Sequence, residues 1–242
     1  TLALIAAGLL AGFLPAAGNA GPPVDPPALR QERPPVHGEK CPAKCPACTE
    51  AIGKALDFLA SRQTKEGCIP AQNPGLQYVK TDRNVTHVMT TALAGLAFLA
   101  SGSTQATGLY RNQVALARRF LQESADEILK TSPRRAGGGG GPIYSAALCL
   151  QFFTHLHEKE KDADSRRTVQ ALVAYLVNCV GEKVGTSVWK KGADDGTVWY
   201  ISGVTALLNS TILALARARA AGFDVPEGVW KLAQDYYAKY FE

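Results

Sequence analysis

SGVTALLNSTILALARARAAGFDVPEGVWKLAQDYYAKYF, residues 202–241, reads as two helices with a short turn between them. From Gly203 to Ala221, Val204, Leu207, Leu208, Ile212, Leu213 and Leu215 leave almost no polar face until Arg217 and Arg219, the pattern of a helix covered nearly all round. Gly222-Phe223-Asp224-Val225-Pro226 then stops that helix at a glycine and offers a proline to start the next. In the second helix Val229, Ala233, Tyr236, Tyr237 and Tyr240 form one stripe opposite Glu227, Lys231, Asp235 and Lys239. One helix is inner and its partner outer.

The same pair recurs upstream. Thr49 to Gln63 is an outer-type helix, with Ile52, Ala55, Leu56 and Leu59 on one face. Val85 to Ala100 is apolar all round and Tyr110 to Leu129 is amphipathic, with Arg118 outward. Ile143 to Phe153 is again apolar, Glu158 to Asp164 reads as a charged turn, and Ser165 to Val180 is amphipathic with Arg166 outward. The signatures Thr91-Ala92-Leu93, Ala146-Ala147-Leu148 and Thr211-Ile212-Leu213 mark the inner helices. The fold class is therefore all-α, about seven helices in hairpin repeats. Inner helices apolar on every side call for a surrounding layer, which favours a two-layer α/α barrel or arc (an α/α toroid) over a four-helix bundle. Leu93, Leu96, Leu148, Leu150, Leu207 and Ile212 are expected to be fully buried.

The remaining chain divides simply. Residues 1–20 carry an apolar run from Leu2 to Leu14, then Pro15 and small residues to Ala20, the pattern of a secretory signal peptide cleaved after Ala20. The run is about 13 residues where a membrane span needs about 20. Residues 21–47 are rich in proline and charge and read as a tether, leaving 48–242 as one domain. The expectation is an exported protein, periplasmic or extracellular, with no transmembrane span after signal removal. Of the 242 residues, Lys and Arg are scattered and the formal net charge is only +5, so nucleic acid is not an expected partner.

Cys41, Cys45 and Cys48 form C-x3-C-x2-C, a spacing used by radical SAM enzymes for an iron–sulfur cluster. Strand–helix alternation is missing here and the expected compartment oxidises thiols, so that reading is set aside. Two others stay open: zinc held by His37 with the three cysteines, or disulfide chemistry in which Cys41 reaches Cys68. Cys149 and Cys179 fall inside apolar helical patterns and read as buried, inert thiols. Gly137 to Gly141 precede no G-K-[ST] and form a connector, not a phosphate cradle. His155 and His157 close an inner helix, where they can cap its last carbonyls.

Ala55-Leu56-Asp57-Phe58-Leu59 with Gln63-x3-Gly67, the run Thr91 to Gly102, and Leu213 to Pro226 with Val229-Trp230 together resemble the bacterial prenyltransferase and squalene oxidase repeat proteins. These belong to the terpenoid cyclase and protein prenyltransferase α/α toroid superfamily. The resemblance spans about Cys48 to the C-terminus and implies the toroid fold, in an array shorter than a complete ring. The family's Q-x3-G-x-W survives as Gln63-x3-Gly67-Cys68-Ile69 without its tryptophan. The D-x-D-D acid of squalene-type cyclases has as its nearest match Asp194-Asp195, without the first aspartate. The prenyltransferase zinc set of Asp, Cys and His does not map onto His87, Cys149 or Cys179. The resemblance thus implies an exported, non-catalytic binding or scaffold module without cofactor, the alternative being an isoprenoid- or lipid-processing enzyme.

A hairpin array sets every inner-helix N-terminus at one rim. The long connections, Gly67 to Asn84, Thr131 to Pro142 and Gly181 to Ile201, fall at that same rim. Tyr78, Lys80, Arg83, His87, Arg134, Trp189, Lys190, Lys191, Trp199 and Tyr200 would surround an opening there. Its expected ligand has an anionic head and an apolar, lipid-like tail. A protein partner or an oligomer is compatible with the same surface, and a plain plug of the barrel end by Trp189 and Trp199 is the alternative.

Overall fold

Predominantly apolar and amphipathic helices alternate along this chain. In the computed structural model the described residues are 45–71, 85–130, 141–180 and 198–240. Among them the structure is all-helical, with seven helices and no strand: α1 (Pro46–Arg62), α2 (Val85–Ala100), α3 (Arg111–Lys130), α4 (Gly141–Glu160), α5 (Ala163–Val180), α6 (Val198–Ala220) and α7 (Gly228–Tyr240). The chain divides into two units between Cys45 and Pro46, and all seven helices belong to the second. Residues 1–44, where the sequence led us to expect a leader and a tether, lie outside the described residues, and His37 and Cys41 with them.

Packing sorts the helices into two layers. α4 lies against α2 on one side and α6 on the other, while α5 packs against both α3 and α7. The near-uniformly apolar helices α2, α4 and α6 make one layer and the amphipathic α3, α5 and α7 make the second, with α1 against α2. Neighbours within a layer run parallel. Near the starts of α4 and α2, the Ser145 hydroxyl donates to the Val85 carbonyl at 3.4 Å, and further along Gly95 faces Phe152. Near the ends of α4 and α6, Arg217 reaches His155 and Glu158. In the second layer the Thr168 hydroxyl donates to Gln122 at 2.7 Å, and Arg118 donates to Asp162 at 3.0 Å. Close approach of α2 to α4 depends on Gly95, because a Cβ there would sit 2.6 Å from the Phe152 ring.

The turns within hairpins are built from backbone chemistry. α2 and α6 end alike: Ser103 and Phe223 donate back five residues to Phe98 and Ala218, and Gly102 and Gly222 hold positive φ of 92° and 88°. That is the glycine stop expected at Gly222. α4 ends differently, with Lys161 at φ 57°. It also runs on past Phe153, to Glu160, so the charged turn expected from Glu158 is helix until that point. The reason is Leu156, which is fully buried and carries the apolar pattern one turn further. Asp162 then caps α5, accepting from the Ser165 backbone N–H at 2.8 Å.

Burial departs from expectation in an ordered way. Leu148 and Leu150 are buried as expected, Leu96 and Ile212 are only partly buried, yet Leu93 is 42% and Leu213 52% exposed. The Leu207 side chain lies outside the described residues. The least covered positions share one register, Met89, Leu93 and Leu96 on α2, Tyr144 and Gln151 on α4, Asn209, Leu213 and Ala216 on α6, although Leu148, the α4 member between Tyr144 and Gln151, is buried. They form the face of the first layer opposite its contacts with the second layer, and no described helix covers it. α1 is likewise less covered than its stripe implies. Leu56 is buried and Leu59 partly so, but Ile52 and Phe58 are exposed, because α2 is its main helical neighbour. Arg166 and Lys231 are exposed as expected. Arg118 is not, being three-quarters covered where it joins Asp162 and Gln105.

Candidate functional site

The rim expected to carry the site is described at few points. His87 sits half-buried in the first turn of α2, and the backbones of Trp199 and Tyr200 occupy the first turn of α6. The parallel order of α2 and α4 brings their N-termini to one end. Tyr78, Lys80, Arg83, Arg134, Trp189, Lys190 and Lys191 lie outside the described residues, as do Asp194 and Asp195.

Just below that end the chain is pinned by its threonines. The Thr91 hydroxyl accepts from the Ile69 N–H at 2.8 Å, and the Thr90 hydroxyl donates to the Ile69 carbonyl at 2.6 Å. Gln63 and Gly67 act together. The Gln63 amide donates to the Gly67 carbonyl at 3.0 Å and to the Gln113 carbonyl at 3.1 Å, joining the end of α1 to the start of α3. Gly67 has φ +94°, and a Cβ on it would meet the Leu116 carbonyl oxygen at 2.1 Å. No larger residue fits there. Gln63 and Gly67 thus have a structural task, and Ile69, two residues on, is buried.

At the opposite end two polar clusters stand that the sequence reading did not assemble. In the first, Glu160 accepts from the Gln105 backbone N–H at 2.6 Å and from its side-chain amide at 2.5 Å. Arg118 joins Gln105 to Asp162, and Asp162 accepts the Ser165 N–H. Burial works to raise the Asp162 carboxyl, but hydrogen bonds from Ser165 and the Arg118 charge outweigh it and hold it below the usual carboxylate range. This cluster bolts the α2–α3 turn to the α4–α5 turn. In the second, Arg217 of α6 donates to Glu158 and, at 3.2 Å, to His155 Nδ1, both on α4. Burial first, and then Arg217, hold the His155 imidazole below its ordinary value. Sequence did flag Arg217 as the break in an apolar helix, and His155 as polar at the end of another. Nothing local says that they meet.

The cysteines contribute no reactive centre among the described residues. Cys149 and Cys179 are buried and their thiols are pushed up to about 12 by desolvation, as inert thiols should be. Cys68 is half-buried and raised by burial, with a Thr91 hydrogen bond opposing. Cys45 is buried and Cys48 partly so. Among the described residues no three of His, Cys, Asp and Glu are grouped to hold a metal ion. Among them, too, no helix is long and apolar enough to cross a membrane. An open groove of about 640 Å³ between α3 and α5 is lined by Arg118, Gln122, Asp126, Asp164, Arg167 and Thr168. Those side chains already satisfy one another or a neighbour, Gln122 with Asp126 and Thr168, Arg167 with Asp164, Arg118 with Asp162.

What remains is the uncovered face of the α2–α4–α6 layer. It is apolar at Met89, Leu93, Leu96 and Leu213, and polar at Gln151 and, toward the C-terminal ends, at His155. Such a surface can take up an apolar body. Comparison of the chain with protein-family models, with curated proteins and with solved structures gives no match.

Proposed function

We propose that this chain is an exported, non-catalytic binding module, built as an open or partial α/α toroid of the prenyltransferase and squalene oxidase repeat type, that holds an apolar, lipid-like ligand on its uncovered layer. One observation carries the reading. Leu93 and Leu213 are 42% and 52% exposed at equivalent positions of two predominantly apolar helices. Large side chains left wet at one register on the two helices that flank α4 mark a surface awaiting a partner. The parallel order of the three apolar helices, backed by parallel amphipathic ones, supports the toroid reading, and the rim of inner-helix N-termini supplies partial positive charge for an anionic head.

The test is native mass spectrometry of the protein mixed with a lipid extract, repeated on the Leu93→Glu/Leu213→Glu double variant. Wild type should retain lipid-sized adducts and the variant should lose them, with melting temperature changed by no more than about 3 °C because both sites are already half wet. A wild type that emerges bare, or a variant that keeps its adducts, overturns the reading.

A further inference from the structure

The seam between α4 and α6 is held by three charged or titratable groups, two of which, Arg217 and His155, face one oxygen of the third, Glu158. Arg217 Nη2 reaches Glu158 Oε2, and the same Arg217 nitrogen donates to His155 Nδ1 at 3.2 Å. His155 Nδ1 itself lies 3.8 Å from that same Glu158 oxygen. A guanidinium has no acceptor, so His155 must present a bare Nδ1 and carry its proton on Nε2. The neutral imidazole is therefore part of the bridge between two helices.

We propose that this trio is an acid-sensitive latch: on protonation His155 exchanges its bond from Arg217 for one to Glu158, replacing a bridge between α4 and α6 by a pair within α4. The proton added at Nδ1 ends its role as acceptor for Arg217. The new N–H points at Glu158, one helical turn away on the same helix, while the imidazolium repels the guanidinium. The side chains are well placed to feel the change, with His155 17%, Glu158 29% and Arg217 36% exposed. The charges acting on the ring are Arg217 from α6 and Glu158 and Lys159 from α4 itself. Lys159 adds to the repulsion and Glu158 opposes it. α2, the other neighbour of α4 in this layer, carries one titratable side chain, His87, at its far end. Burial and Arg217 keep the ring neutral to lower pH than an ordinary imidazole. The latch acts on one end of the uncovered face and does not require that a ligand bind there.

Hydrogen exchange of the whole chain, corrected for the intrinsic pH dependence of amide exchange, tests it. As pH falls through the His155 titration, residues 209–220 of α6 should exchange several-fold faster relative to α3, and His155→Gln, which keeps an acceptor but cannot charge, should abolish the change. A flat wild-type response, or an equal rise in His155→Gln, overturns the proposal. Should His155→Gln not fold, the nitrogen signal of the Arg217 side chain in wild type decides. It should shift with the midpoint of the His155 ring protons, and a shift at any other midpoint, or none, refutes the exchange.

Discussion

Leu148 on α4 and Leu213 on α6 stand at the same place in the repeat, yet one is 2% exposed and the other 52%. Neither helix is less apolar than its role in the array requires. What differs is the neighbourhood: α4 is gripped by α2, α3, α5 and α6, whereas α6 has one flank along α4, with α5 and α7 behind. Leu93, on the opposite flank, behaves like Leu213. An all-apolar helix thus advertises a need for cover without saying whether the chain supplies it. The middle hairpin is a core in its own right; the flanking ones have a face left over, and that difference is where a ligand reading begins.

The comparison breaks most directly by truncation. Leu148→Ala removes side-chain atoms that pack on every side and should cost about 2–5 kcal/mol by cavity formation, whereas Leu93→Ala and Leu213→Ala should each cost below about 1 kcal/mol. Chemical denaturation gives all three numbers. Equal losses would mean that the face is covered in solution, by the chain itself or by a second copy.

Gly95→Ala probes the α2–α4 contact that makes the middle helix central. Its methyl would stand 2.6 Å from the Phe152 ring, and Phe152 is fully buried, with little room to yield. Overpacking should cost roughly 1–3 kcal/mol, with the loss appearing in urea midpoint at unchanged slope. A neutral result would show that α2 rides loosely on α4.

Asp162 fastens the middle hairpin to the first through Arg118 and caps α5 through Ser165. Asp162→Ala should cost about 1–2 kcal/mol, while Asp162→Asn keeps the cap and loses the charge. Because the native carboxyl is held below its ordinary value, its contribution is complete above the unfolded-state value, near 3.8, and is lost as pH falls through the native one. Wild type should therefore lose stability over that acidic window more steeply than Asp162→Asn, measured by urea midpoints between neutral pH and pH 3. Parallel curves would remove Asp162 from the account.

Seven helices were legible because seven stretches carry a helical period, and the glycine stop at Gly222 is a local signal that needs no tertiary knowledge. The end of α4 was not. Glu158 to Asp164 looks like a charged turn in one dimension, because only the hidden contacts of Leu156 reveal that the helix is still inside the protein as far as Glu160. The candidate site divides the same way. Its rim was inferred from loop lengths, and of its residues the structure describes His87 and the backbones of Trp199 and Tyr200. The polar trio on α4 and α6 joins residues about sixty positions apart, a pairing for which a single sequence holds no local signal.

The smallest expected effect lies in the turn where the middle hairpin departs from its neighbours. α2 and α6 close on Gly102 and Gly222, but α4 closes on Lys161, whose φ of 57° brings Cβ toward the following carbonyl. The Lys161 N–H still donates to the His157 carbonyl at 2.8 Å, so the turn is satisfied in hydrogen bonds and disfavoured only in conformation. Lys161→Gly removes that penalty but gives the unfolded chain more freedom to lose, so the gain should be below about 1 kcal/mol. The Lys161 side chain is exposed and has no hydrogen-bond or ion-pair partner among the described residues to give up. A rise of a degree or two in melting temperature, about that size for a chain this long, is the expected result. A fall would mean that the Lys161 backbone is held by the Gln105–Glu160–Asp162 cluster so firmly that left-handed geometry costs nothing there, and that the middle turn is rigid where those of its neighbours are merely permitted.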